Sequence, residues 1–160
     1  MKISVFAVGR MKAGPEKELA DRYFDRFGKS GGPLGLDFSG VVEIAESRAQ
    51  TPAERKREEA LKLKSQISAG VSLFLLDERG KNFSSDDFSR RIAALRDGGQ
   101  RGLTIAIGGP DGHDPELREQ ADLVMSFGAL TWPHQLVRIM LAEQLYRAAT
   151  ILSGHPYHRA

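Results

Sequence analysis

Two runs constrain this chain most: Val71-Ser72-Leu73-Phe74-Leu75-Leu76 and Leu103-Thr104-Ile105-Ala106-Ile107. Each is nearly continuous in apolar residues. Each ends abruptly, the first in Asp77-Glu78-Arg79-Gly80 and the second in Gly108-Gly109-Pro110-Asp111-Gly112. A strand that is apolar on both faces must be covered on both, which is the condition of a parallel sheet held between two helix layers. Shorter strands are predicted at residues 3–8, 41–45 and 123–127. Helical patterns fill the intervals. Pro15 opens one, with Leu19, Ala20, Tyr23, Phe24 and Phe27 at helical spacing. Thr51-Pro52-Ala53-Glu54 carries a cap, a proline at the first position and the acid of a capping box; the helix it starts is predicted to reach about residue 68. Ser84 or Ser85 caps a third through Phe88, Ile92 and Leu95, Pro115 opens a short fourth, and Pro133 opens the longest, to about residue 152. Residues 28–40 hold five glycines and Pro33 and read as a mobile loop. There is no linker and no repeat, so the prediction is a single α/β domain over residues 1–160, a mostly parallel sheet with helices on both faces.

Composition narrows the chemistry. The chain has no cysteine, which excludes a disulfide scaffold, a thiol nucleophile and thiolate-held metals. Its 23 Lys+Arg against 21 Asp+Glu leave a net charge of only +2, so contact with nucleic acid requires local concentration of charge. That concentration exists: from Thr131 onward Arg138, Arg147 and Arg159 face Glu143 alone, and His134, His155 and His158 lie in the same stretch. His155 and His158 are three apart, but Pro156 breaks helical geometry and no nearby acid completes a ligand set, so no metal is expected. No apolar run is long enough to span a bilayer. The N-terminal stretch lacks the features of a signal peptide, and a cytoplasmic protein without a membrane partner is expected.

In open α/β sheets, ligands bind beyond the carboxyl ends of strands. Three such ends stand out: Leu76-Asp77, Gly108-Gly109-Pro110, and the segment from Ser126 to Trp132. Neither a G-x-G-x-x-G fingerprint nor a phosphate-binding P-loop is present. The glycine pair alone fits a tight turn as well as a pocket; three such ends on one sheet edge favour a small-molecule pocket. The helix after Pro133 is apolar around its circumference, which fits either a central core helix or one with a face against a second subunit. Glu143 and Arg147 lie four apart on it, in the order that favours an ion pair. They project to roughly the opposite side from His134 and Arg138. The tail Gly154-His155-Pro156-Tyr157-His158-Arg159-Ala160 reads as exposed, with residues suited to phosphate and base contacts.

Several strings bring a family into view: Leu76-Asp77-Glu78-Arg79-Gly80-Lys81, Ile107-Gly108-Gly109-Pro110-Asp111-Gly112, Leu130-Thr131-Trp132-Pro133-His134-Gln135-Leu136-Val137-Arg138, Ala142-Glu143-Gln144-Leu145-Tyr146-Arg147-Ala148, and His155-Pro156-Tyr157-His158-Arg159. Together they resemble the bacterial 23S ribosomal RNA (pseudouridine-N3)-methyltransferases, small single-domain members of the SPOUT superfamily. The resemblance covers essentially the whole chain and is most specific in its last third. It implies a SPOUT fold with a C-terminal trefoil knot, a homodimer, and S-adenosylmethionine as methyl donor with no metal. The cofactor would be held by Leu76, Gly108, Phe127, Gly128, Ala129, Leu130, Thr131 and Trp132. The substrate would be a pseudouridine in a 23S rRNA hairpin loop of the assembled ribosome. Gly128 and Trp132 depart from the Ser and the Leu or Phe that many members of the family carry there.

For chemistry, the expected roles are Arg147 for electrostatic stabilisation, Tyr157 and His158 for positioning the base or assisting proton loss, and Glu143 either to orient Arg147 or as a plain helix ion pair. The opposed helix faces predict a site shared across the dimer. Two other classes use the same residues differently: a module binding a nucleotide-like ligand, and a ribosome-associated factor without catalysis.

Overall fold

The computed structural model describes residues 1–159; of the predicted tail, Ala160 lies outside the described residues. Five strands form one all-parallel sheet in the order β2-β1-β4-β3-β5. They are β1 (Lys2–Val8), β2 (Asp37–Ile44), β3 (Val71–Asn82), β4 (Gly102–Ile107) and β5 (Leu123–Ser126). The helices are α1 (Pro15–Gly31), α2 (Pro52–Lys64), α3 (Ser85–Asp97), α4 (Pro115–Gln120) and α5 (His134–Leu152).

The two-residue strand period sorts the core. Ile3, Val5, Ala7, Phe74, Leu76, Leu103, Ile105 and Ile107 point into one layer, against Phe24, Phe27, Phe88, Ile92, Leu141 and Leu145 of α1, α3 and α5. Phe6, Val8, Leu73, Leu75 and Ala106 point into the other, against Ala60 and Leu63 of α2 and Leu117 of α4. Both faces of β4 are thereby buried, as its unbroken apolar run requires. The Thr51 cap forms as predicted: its side chain accepts the Glu54 amide while Glu54 reaches back to the Thr51 amide. No helix among the described residues is long and apolar enough to cross a membrane.

Two expectations are corrected. Residues 28–40 are not a mobile loop. α1 continues to Gly31, a 3-10 turn covers Gly32–Leu34, and β2 starts at Asp37. Packing overrides the low helix propensity of glycine here: Leu36 is fully buried, and Phe38 stacks on Phe24 with centroids 4.9 Å apart. Gly31 is required, because a Cβ there would lie 2.6 Å from the Leu36 carbonyl oxygen.

The second correction is β3, which does not stop at Asp77. It bulges and resumes, so that Leu76 and Lys81 both register with Met125 of β5. Gly80 permits the return, since a Cβ at that position would stand 2.6 Å from the Met125 carbonyl carbon. The consequence is a wall of chain, residues 77–82, folded over the end of β5.

Candidate active site

The carboxyl ends of β3, β4 and β5 enclose an open cleft of about 250 Å³, near the lower end of small-molecule sites. Leu76, Ile107, Phe127, Leu130, Trp132 and Val137 supply its apolar walls. Gly108 lies at its back, where a Cβ would press on the Gly112 backbone and the His113 ring at 3.2 Å. Gly128 adopts φ +118°, a conformation that suits glycine. It is fixed by Ser126, whose Oγ donates to the Gly128 carbonyl at 2.7 Å and accepts its amide at 3.0 Å. A slot with apolar walls, close-approaching backbone and carboxylates in its lining fits a purine nucleoside with a sulfonium-bearing chain, the chemistry of the cofactor the sequence implies.

Three side chains behind the cleft hold it in shape. Arg55 of α2 grips Asp111 bidentately, at 2.7 and 3.2 Å, and so pins the glycine loop; this hydrogen bond holds the Asp111 carboxyl below the usual carboxylate range. His113 is buried, its Nε2 3.1 Å from the Leu76 carbonyl oxygen. It therefore ties the end of β3 to the loop after β4, and burial pushes its pKa down. Glu59 of α2 is also buried and accepts the Ser47 amide at 3.1 Å. Burial, chiefly, holds its carboxyl above the usual range. It leaves so little room that a Cβ on Gly109 would sit 3.0 Å from its Oε2.

Seven of the eight expected cofactor residues line the cleft: Leu76, Gly108, Phe127, Gly128, Leu130, Thr131 and Trp132. Ala129 is exposed and does not line it. The sequence reading did not select Glu78 and His134 of the lining, nor the supports His113 and Glu59. Glu78 stands inside the string after β3, so its position was visible. Nothing in a charged helix pattern marks Glu59 as buried.

The four expected catalytic residues gather in a second place. Glu143 Oε1 accepts from Arg147 Nε at 3.0 Å, from Arg147 Nη2 at 2.6 Å, and from the Tyr157 hydroxyl at 3.0 Å. Arg147 also packs over the Tyr157 ring, 4.9 Å from its centroid. Its Nη1 stands 3.1 Å from His158 Nδ1. A guanidinium can only donate, so Nδ1 is the acceptor and the proton of the neutral ring is on Nε2, which is buried 3.6 Å from Asp86 Oδ2. Burial first, then hydrogen bonding with Tyr23 and Glu143, pushes the Tyr157 pKa up, and the phenol stays protonated. Here the expectation of an exposed tail is corrected for two residues. His155 is exposed, but Tyr157 and His158 are half-buried, because the Tyr157 hydroxyl and His158 Nδ1 find partners on α5, while His158 Nε2 lies 3.6 Å from Asp86 of α3 without a hydrogen bond.

The opposed faces of α5 have separate uses. Arg138 is buried and donates to Glu43 at 2.6 Å and to the Gly9 carbonyl at 3.3 Å. Burial opposes the Glu43 charge, but the Met11 amide and Arg138 together hold its pKa below the usual range. Along the α-helical rise of about 1.5 Å per residue, Arg147 lies roughly 20 Å from His134 at the cleft. Between them α1, α3 and α5 leave a groove of about 600 Å³ lined by Leu19, Tyr23, Phe83, Phe127, Ile139 and Met140 among others.

A family model described as "Predicted SPOUT methyltransferase" matches residues 1–158. A protein of Mesorhizobium japonicum named "Ribosomal RNA large subunit methyltransferase H" is 69% identical over 160 residues, the whole of both chains. Proteins of the same name from Brucella anthropi and Brucella abortus (strain S19) are 64% and 60% identical, again over the whole of both chains.

Proposed function

This chain belongs to the SPOUT methyltransferase family, and from that premise we propose that it methylates N3 of a pseudouridine in a hairpin loop of 23S ribosomal RNA, with S-adenosylmethionine as donor and the assembled ribosome as substrate. The observation that carries the reading is the cleft. Seven residues expected to hold the donor, from three separate stretches of sequence, converge on one apolar, glycine-lined slot. The names of its full-length relatives support methylation of large-subunit ribosomal RNA as the reaction, and a ribosomal substrate fits a cytoplasmic protein.

The donor supplies an electrophilic methyl group on a sulfonium: the S–CH3 bond breaks, the N3–CH3 bond forms, and the bond pair stays on sulfur. The protein's contribution is alignment and charge. Leu76, Ile107 and Val137 exclude water from the slot. Arg147, held by Glu143, offers a fixed cation to the negative charge that develops on the base as N3 loses its proton. Tyr157 is a hydrogen-bond donor and stacking surface, and its raised pKa removes it as a base. With His158 Nδ1 engaged by Arg147, the N3 proton leaves to water.

Within one chain Arg147 lies roughly 15 Å along α5 from Val137 and roughly 20 Å from His134, both of which line the cleft. We therefore assign the complete site to a homodimer, one protomer supplying the cleft and its partner the Glu143–Arg147–Tyr157–His158 cluster. The groove between α1, α3 and α5 and the exposed apolar side chains Leu19, Leu130, Trp132 and Leu136 support a second copy on this face. The deep knot implied by the resemblance belongs to the same reading, and the return of residues 77–82 over β5 supports it.

The test is incubation with radiolabelled S-adenosylmethionine and ribosomes lacking the modification. Label in large-subunit RNA, recovered as N3-methylpseudouridine after digestion, is the expected result. Ribosomes that stay unlabelled while the protein binds the donor would instead favour a ligand-binding module or a non-catalytic factor.

A further inference from the structure

Charge along the cleft is unevenly compensated. Three carboxylates line it: Asp77, Glu78 and Asp111. Asp111 is neutralised by the bidentate grip of Arg55. Asp77 is almost fully buried and lies 3.5 Å from Arg118 Nε and 3.7 Å from Arg79 Nε. Glu78 is different. Its Oε2 accepts a hydrogen bond from the neutral Thr131 hydroxyl at 2.8 Å, and no Lys, Arg or His among the described residues forms an ion pair with it.

The Glu78 backbone is also well placed. Its carbonyl, 3.3 Å from Ser126 Oγ, is the weaker acceptor of the one hydroxyl proton that Ser126 donates chiefly to the Gly128 carbonyl at 2.7 Å. Gly80 packs the returning chain directly on Met125. The carboxylate is thus an anchored, solvent-exposed negative charge with no ion-pair partner of its own at the wall of the slot, while Asp77 beside it takes Arg79 and Arg118. Such a charge selects a cation.

We propose that Glu78 is the residue by which this protein distinguishes the methyl donor from its demethylated product. The proposal rests on the reading of the cleft as a methyl-donor site. Donor and product differ in one methyl group and one positive charge, because the pair of the broken S–CH3 bond remains on sulfur and converts a sulfonium to a neutral thioether. Apolar walls grip the two almost equally. A carboxylate facing the slot favours the cation and loses that attraction once the methyl group has left, which lowers product inhibition and speeds release.

The experiment is titration calorimetry of wild type and Glu78→Gln with S-adenosylmethionine, S-adenosylhomocysteine, and sinefungin, which bears an ammonium group in place of the methylsulfonium. Glutamine keeps an oxygen for Thr131 and removes only the charge. The expected result is a Kd raised about five- to tenfold for the two cations, the scale of one partly solvated charge pair, and less than about twofold for the thioether. The wild-type preference for the cations should also shrink as salt is raised. Equal weakening of all three ligands would reduce Glu78 to a clasp for the Thr131 loop and overturn the proposal. So would unchanged affinities. Wild-type protein that binds none of the three would overturn the functional reading itself, a result distinct from either.

Discussion

His113 shows how one side chain sets the geometry of the site. It joins the carbonyl at the end of β3 to the glycine loop after β4, so both walls of the cleft depend on it. His113→Ala should cost about 2–4 kcal/mol, from the lost packing and the orphaned Leu76 carbonyl. Its pH signature is specific. Burial depresses the folded-state pKa, so the unfolded chain takes up a proton in the ordinary histidine range, about 6.5, where the folded chain does not. This contribution to stability is full above that range and is lost as pH falls through and below it. Thermal melting of wild type and variant between pH 5 and 8 checks the point: the wild type should lose more stability on acidification than the variant. Tyr157 makes a different prediction. Because its phenol stays protonated, Tyr157→Phe should lower the methylation rate about tenfold through the lost hydrogen bond to Glu143. It should leave the shape of the pH–rate profile unchanged, since no titrating base is removed.

Elements were legible where the local signals agreed with the packing. The capping box at Thr51 is local chemistry, and α2 starts where it says. Thr51→Ala should destabilise the protein by about 1 kcal/mol, read by denaturant titration. The apolar runs of β3 and β4 were legible for the same reason: burial on both faces leaves a composition that no half-exposed strand carries. Residues 28–40 were misread because glycine and proline are local signals, while Leu36 and Phe38 are held by contacts with α1 that only the fold supplies. The return of β3 was hidden too. Asp-Glu-Arg-Gly reads as a stop, and only the approach of Gly80 to the Met125 backbone shows why the strand resumes. Gly80→Ala should therefore be among the costly small substitutions in the chain, about 3 kcal/mol by thermal or denaturant melting, since the clash is with backbone and cannot be relieved by a rotamer.

At the scale of the whole molecule, the strand ends that line the cleft were legible from glycine placement and topology, and the four tail-cluster residues from the family resemblance. What the sequence could not show is the docking of Tyr157 and His158 on α5 and α3, which depends on Glu143, Arg147 and Asp86 being brought to the tail by the fold. The separation of that cluster from the cleft follows from the length of α5, and on the proposed reading the partner protomer supplies the missing half. Deleting Tyr157–Ala160 should accordingly abolish methylation and leave donor affinity within about twofold by calorimetry, because the tail contacts Glu143 and Arg147 rather than the cleft. The most direct test of the shared site is a mixed dimer of one Arg147→Ala chain and one Thr131→Trp chain, the second substitution filling the cleft. Each homodimer should be inactive. The purified heterodimer keeps one intact composite site, so the account predicts about half the wild-type rate of methyl transfer to ribosomes. A folded, dimeric but inactive mixed species would contradict it, since that is the outcome if each chain carries its own complete site.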